Sequence, residues 1–283
     1  MVLKGADLRA LCFFRAGRMR VVLGLEYRGT AYCGWQSQPS GCGVQDHLEA
    51  AIAAFLLSPV RVVCAGRTDT GVHARAQVVH LDTDTDRSDL AWVRGVNASL
   101  PPDIRVVWGH RLAELPAERA EEQFHARFSA VSRSYQYLLL NDTVKPALHT
   151  GSVGWFHVPL DAVAMQAAAN LLLGEQDFSA FRSAECQAKS PIKTMFIAAV
   201  SRRDAVIVFD FRASAFLHHM VRNIVGCLVY VGAGRQNLSW FKDVIESRDR
   251  AKCAPTFAPD GLHLAAVEYS GNWKLPVFLH RTN

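Results

Sequence analysis

"VRVVCAGRTDTGVHARAQVVHLD", residues 60–82, reads as strand, turn, strand. Apolar runs at 60–65 and 76–82 mark the two strands. Between them a short turn holds Arg67, Asp69 and His73 among two threonines and two glycines. A strand expected to be buried thus delivers polar side chains to a loop at a sheet edge, where sites tend to sit. Taken alone, an aspartate in such a turn serves equally to hydrogen-bond its own backbone.

Outward from that turn the chain alternates strands and helices. Val21, Leu23, Leu25 and Tyr27 share one face of a strand at 19–27, and a glycine-punctuated loop follows at 28–43. Val44, Leu48, Ala51, Ile52 and Phe55 form one stripe of a helix at 44–57. A helix at 88–100 with Ser88 as its cap and a strand at 104–108 complete the first set. The polar segment 110–123 separates it from a second set. This has strands at 133–140, 193–200, 205–212 and 261–269, and helices at 160–174, 214–232 and 239–247, with Gly174 as a helix stop. Each helix needs a sheet face for its apolar stripe. The expected fold is α+β: two sandwich halves with mixed, mainly antiparallel sheets and a positively charged cleft between them. The expected organisation is an extension at 1–18 outside the fold, an N-terminal domain at 19–121 and a C-terminal domain at 122–283.

Composition narrows the function classes. The 283 residues carry a net charge of +5, and 24 of the 31 basic residues are Arg, which forks onto phosphate and stacks on bases. Seven cysteines form no CxxC pair and leave an odd count, which argues against a disulfide framework and a thiolate zinc site, and for a reducing cytoplasm. No GxxxxGK[ST], GxGxxG or HExxH is present, so neither a nucleotide cofactor nor a zinc site is expected. His218 and His219 are expected to point different ways around their helix. No stretch approaches the ~18 apolar residues of a membrane span.

Two further positions stand out. Tyr135 shares a strand face with Arg133 and Tyr137, a poor hydrocarbon core and a better platform for a base. Arg222 lies in an otherwise apolar helix and needs an anionic partner there. Any carboxylate would serve; the sharper expectation is Asp69.

"AGRTDTGVHA" closely resembles the signature of the tRNA pseudouridine synthase A family, usually GRTDAGVHA. "LEYRGTAYCGWQSQ", "VQDHLEAAI", "GVNASLP", "FHARFSA", "SRSYQYLLLN", "DFSAFR" and "FLHHMVRNIVG" match in the same order, over about residues 19–270. Thr70 stands where alanine is usual, and His263 where tyrosine is frequent. The resemblance implies a cytoplasmic homodimer, with tRNA crossing both subunits, that isomerises uridine to pseudouridine at positions 38–40 of the anticodon stem-loop without metal or organic cofactor. It implies that Asp69 attacks C1′ or takes the 2′ proton, that Arg222 holds that carboxylate, and that Arg67 enters the stack or grips the flipped nucleotide. Tyr135 would stack on the detached uracil and accept the C5 proton. His73, His218 and His219 receive no catalytic role. A non-catalytic tRNA chaperone, a histidine metal hydrolase and a synthase for another tRNA position remain the alternatives.

Overall fold

The computed structural model describes residues 19–113 and 122–276. In chain order its elements are β1 (Met19–Tyr27), α1 (Val44–Leu56), β2 (Val63–Cys64), β3 (His73–Thr83), α2 (Asp89–Asn97), β4 (Ile104–Ala113) and β5 (Ala130–Asn141). Then follow β6 (Gly154–Phe156), α3 (Ala162–Asn170), β7 (Gly174–Asp177), β8 (Ile192–Arg203), β9 (Val206–Ala213), α4 (Met220–Gly232), α5 (Leu238–Ser247) and β10 (Leu262–Tyr269). The expected extension at 1–18 and domain junction at 121/122 touch residues outside those described.

Among the described residues one sheet runs through both halves in the order β4-β1-β3-β10-β5-β9-β8-β7. Neighbours along it are antiparallel except β10 and β3, and β6 adds a short parallel pair to β5. The fold is therefore α+β with a mixed, mostly antiparallel sheet. β10, late in sequence, stitches the halves together by lying between β3 and β5. Leu262 and Leu264, two residues apart on one face of β10, belong to different hydrophobic cores. The α1–α2 layer and the α3–α5 layer consequently cover the same face of one sheet. Tyr135 packs against both cores, at the seam.

Local signals explain most elements. Ser88 Oγ caps α2 by accepting from Ala91 N, and Asp161 accepts from Val163 N and Ala164 N at the start of α3. α4 buries eleven of its thirteen residues, including Ile224, Val225, Leu228 and Val229. At roughly 1.5–3 kcal/mol for each large aliphatic side chain, α4 is held chiefly by its packing. α3 ends at Asn170, and Gly174 opens β7 instead of stopping the helix.

Two expectations need larger correction. Cys33 and Cys42 form a disulfide that closes the loop between β1 and α1. The odd count and missing CxxC did not bear on this pair, because the backbone brings the two together: Cys33 N donates to Cys42 O over 3.0 Å. The strand expected at 60–65 is only Val63–Cys64, and Val63 is exposed. The reason lies in β3, whose second edge is divided. β10 pairs with it at His73 and Ala74, β2 at Val79 and His80. The turn carrying Asp69 emerges in the gap.

Candidate active site

The gap in the ladder leaves backbone groups that interior side chains satisfy. Gln77 Nε2 donates to Gly66 O over 2.6 Å, and Arg133 Nη2 donates to Ala65 O over 3.1 Å. The same guanidinium donates to the carbonyls of Arg127, Ala130 and Ser214. Arg133 is thus a buried backbone clamp. Tyr137 is fully buried, donating its hydroxyl to Ala258 O over 2.9 Å. The expected three-residue stacking platform reduces to Tyr135.

The turn is pinned from below by the disulfide-closed loop. Trp35 N donates to Thr68 O over 2.9 Å, and Thr68 Oγ1 shares a 2.7 Å hydrogen bond with Tyr27. Gly34, at φ +89°, lies so close that a Cβ there would sit 2.8 Å from Thr68 O. Asp69 O accepts from Val72 N over 3.1 Å, closing the turn, and Gly71 supplies its positive φ of +79°. Backbone groups thereby fix the turn and leave the Asp69 carboxylate free to face outward.

Three side chains converge on that carboxylate, and a fourth senses it. Arg222 Nη1 donates to Oδ2 over 3.1 Å, while His218 Nε2 lies 3.3 Å from Oδ1 and His219 Nε2 lies 3.4 Å from Oδ2. The Tyr135 phenol feels the Asp69 charge. The Asp69 and Arg222 side chains are only 19% and 14% exposed, enough burial for their attraction to escape most solvent screening. Arg222 is itself aimed, because its Nε donates to Phe257 O over 2.8 Å. Burial, together with the Asp69 charge, raises the Tyr135 phenol well above its usual range, so it stays protonated at neutral pH. Its ring meets Phe216 edge-on at 5.0 Å. Arg67 is exposed and forms no ion pair or hydrogen bond with a described residue.

The histidines differ from expectation. α4 begins at Met220, not near residue 214, and His219 caps it in the left-handed region at φ 62°. The pair therefore leads into the helix, and both rings turn to Asp69 with centroids 4.0 Å apart. Burial lowers the pKa of His219 and so favours the neutral ring, against the opposing pull of Asp69. A His-His dipeptide beside a cap was the available signal; treating 214–219 as helix concealed it. The thiol of Cys64, before the turn, is pushed up to about 12 chiefly by burial, consistent with an inert thiol.

His73 supports the turn from behind. Its Nδ1 accepts from Gly29 N over 3.0 Å, and its Nε2 lies 3.0 Å from Asp260 O, which fixes a neutral tautomer. It stacks on His263, whose pKa burial and His73 together depress to about 3. The unfolded chain then takes up a proton near pH 6.5 that the folded chain refuses, so stability falls as pH drops below that value. His263→Tyr is expected to remove roughly 1–2 kcal/mol of the loss between pH 7 and 5, read from urea midpoints at both values. An unchanged loss would show that His263 does not contribute.

The family model described as tRNA pseudouridine synthase matches residues 25–115 and 168–270. Arg67, Asp69, His218, His219 and Arg222 fall inside those segments, and Tyr135 lies between them. The chain is 55% identical over 258 residues to tRNA pseudouridine synthase A of Methylobacillus flagellatus, covering 91% of this chain and 96% of that protein. It is 56% identical to the Aromatoleum aromaticum protein of the same name, over 91% and 95% of the two chains. With the Bordetella parapertussis protein of that name it shares 55% identity over 252 residues, 88% of this chain and 90% of that one.

Proposed function

The chain belongs to the tRNA pseudouridine synthase family, and on that premise we propose that it isomerises uridine to pseudouridine at positions 38–40 of the tRNA anticodon stem-loop. The observation that carries this reading is the Asp69 carboxylate, held outward on a pinned turn and paired with Arg222. The reaction breaks the C1′–N1 bond, turns the uracil over and joins C1′ to C5. It needs no redox change and no group donor. One ionised carboxylate near the ribose suffices to begin it, by attack on C1′ or removal of the 2′ proton.

The target base is stacked in an A-form stem and must be drawn out. Arg67, exposed two residues before Asp69 and without a protein partner among the described residues, is placed to hold the flipped nucleotide. Tyr135 stacks on the detached uracil. Because its phenol stays protonated, it accepts the C5 proton only while passing its own to Asp69. Tyr135→Phe keeps the stacking ring and removes that relay, so it is expected to bind tRNA normally and turn over at least ~100-fold more slowly. Near-normal turnover would leave Tyr135 with stacking alone.

The exposed arginines and net charge of +5 support a positive cleft that follows the phosphate backbone. The family resemblance supports a homodimer gripping one tRNA across both protomers, in the cytoplasm where tRNA is matured. In that compartment the Cys33–Cys42 bond would face reductants. No described helix is long and apolar enough to cross a membrane. The position is tested with anticodon stem-loop transcripts in which uridine is retained at only one of positions 38, 39 and 40. Product from these transcripts supports the reading. Product only from uridines elsewhere in a full tRNA would overturn the assignment of position while leaving the chemistry.

A further inference from the structure

We infer that Asp69, His218 and His219 form a three-ligand site for a divalent transition-metal ion of the zinc type, and that the bound ion switches the carboxylate off. The inhibitory part rests on the function proposed above; the binding part does not.

The three ligand atoms lie within 4.8 Å of one another. His218 Nε2 lies 3.3 Å from Oδ1 and His219 Nε2 lies 3.4 Å from Oδ2, each the length of an edge of a zinc coordination tetrahedron but on the two different oxygens of the carboxylate. Metal–ligand bonds of ~2.0–2.2 Å place adjacent tetrahedral ligands ~3.4 Å apart. A turn of the carboxylate that offers one oxygen to both rings, with rotation of the imidazoles, would close a three-ligand set within that 4.8 Å and leave the fourth position to water.

The backbone behind these ligands is fixed. Ser183 N donates to His218 O over 3.1 Å, and Asn223 N donates to His219 O over 2.9 Å. His219 sits in the left-handed region at the head of α4, a conformation that directs its ring to the turn instead of along the helix. Asp69 is held by the turn described above. The backbone therefore holds all three side chains at one place.

The donor set also selects. Two imidazoles and one carboxylate favour zinc, copper, nickel and cobalt over magnesium and calcium, which prefer all-oxygen shells. Magnesium that accompanies folded RNA would therefore not compete. Arg222 opposes the ion, because its guanidinium already holds Oδ2 over 3.1 Å. A cation entering here takes the lone pairs that the reaction needs. It therefore inhibits, and a chelator reverses the effect.

Cobalt(II) titration of the full chain, followed by its visible absorption, tests the binding directly. Wild type is expected to give a tetrahedral spectrum without the sulfur charge-transfer band of a cysteine site. His218→Ala and His219→Ala are each expected to weaken cobalt and zinc binding at least ~10-fold while leaving the fold, read by circular dichroism, intact. In parallel, zinc is expected to stop pseudouridine formation by wild type, EDTA to restore it, and magnesium to leave it unchanged. Absence of binding, binding by His218→Ala and His219→Ala equal to that of wild type, or a sulfur-dominated spectrum would overturn the site. Binding without inhibition would overturn the switch. A wild type that binds the ion but makes no pseudouridine in EDTA would instead count against the synthase reading.

Discussion

Asp69→Asn is expected to lower pseudouridine formation at least ~10⁴-fold while tRNA affinity changes little. The substitution preserves volume, and the contacts that pin the turn run through Thr68 and the Asp69 backbone, not through the carboxylate. What disappears is the carboxylate that, on the function proposed above, attacks C1′ or takes the 2′ proton. The variant also leaves Arg222 beside a neutral amide, with its side chain 14% exposed. A stability loss of about 1–3 kcal/mol is therefore expected, too small to account for the lost turnover. Single-turnover assays with saturating enzyme, alongside filter binding, separate the effects. Turnover within tenfold of wild type would remove Asp69 from the chemistry.

Arg222→Ala is expected to reduce turnover roughly 100- to 1000-fold with near-normal tRNA affinity. Arg222 touches Asp69 and the Phe257 carbonyl, and it is mostly buried, so it offers little to a phosphate backbone. Its removal withdraws the guanidinium that pairs with the carboxylate and aims it. The decisive comparison is Arg222→Lys. An ammonium supplies charge but not the fork that spans Asp69 and Phe257 together, so only partial recovery is expected. Equal losses of binding and turnover in Arg222→Ala, or wild-type turnover, would refute the positioning role.

Much of this was legible in the sequence because the signals are local. Alternation marked β1, a serine cap marked α2, and an isolated arginine in an apolar helix pointed to a buried anion. The Asp69–Arg222 contact, across 153 positions, was legible only because burying an arginine demands a partner. Other features depended on tertiary context. The division of β3's free edge between β2 and β10 cannot be read from residues 60–65, and it shortens a strand that periodicity alone extends. Arg133 resembled a surface cation on the face of Tyr135, whereas it satisfies carbonyls that the broken ladder exposes. The single sheet was hidden because β10 joins β3 from 190 positions away, in the pairing of His73 with His263. His218 and His219 were obscured by apolar neighbours that read as helix through a left-handed residue.

We propose that the pinned Asp69 turn isomerises uridine in tRNA without a metal. This is met most directly by tritium release from unmodified tRNA transcript carrying 5-tritiated uridine, in EDTA, with wild type and Asp69→Asn side by side. Release by wild type and none by the variant is the predicted result. No release from a wild type that is folded and binds the tRNA, or equal release from both proteins, would contradict it.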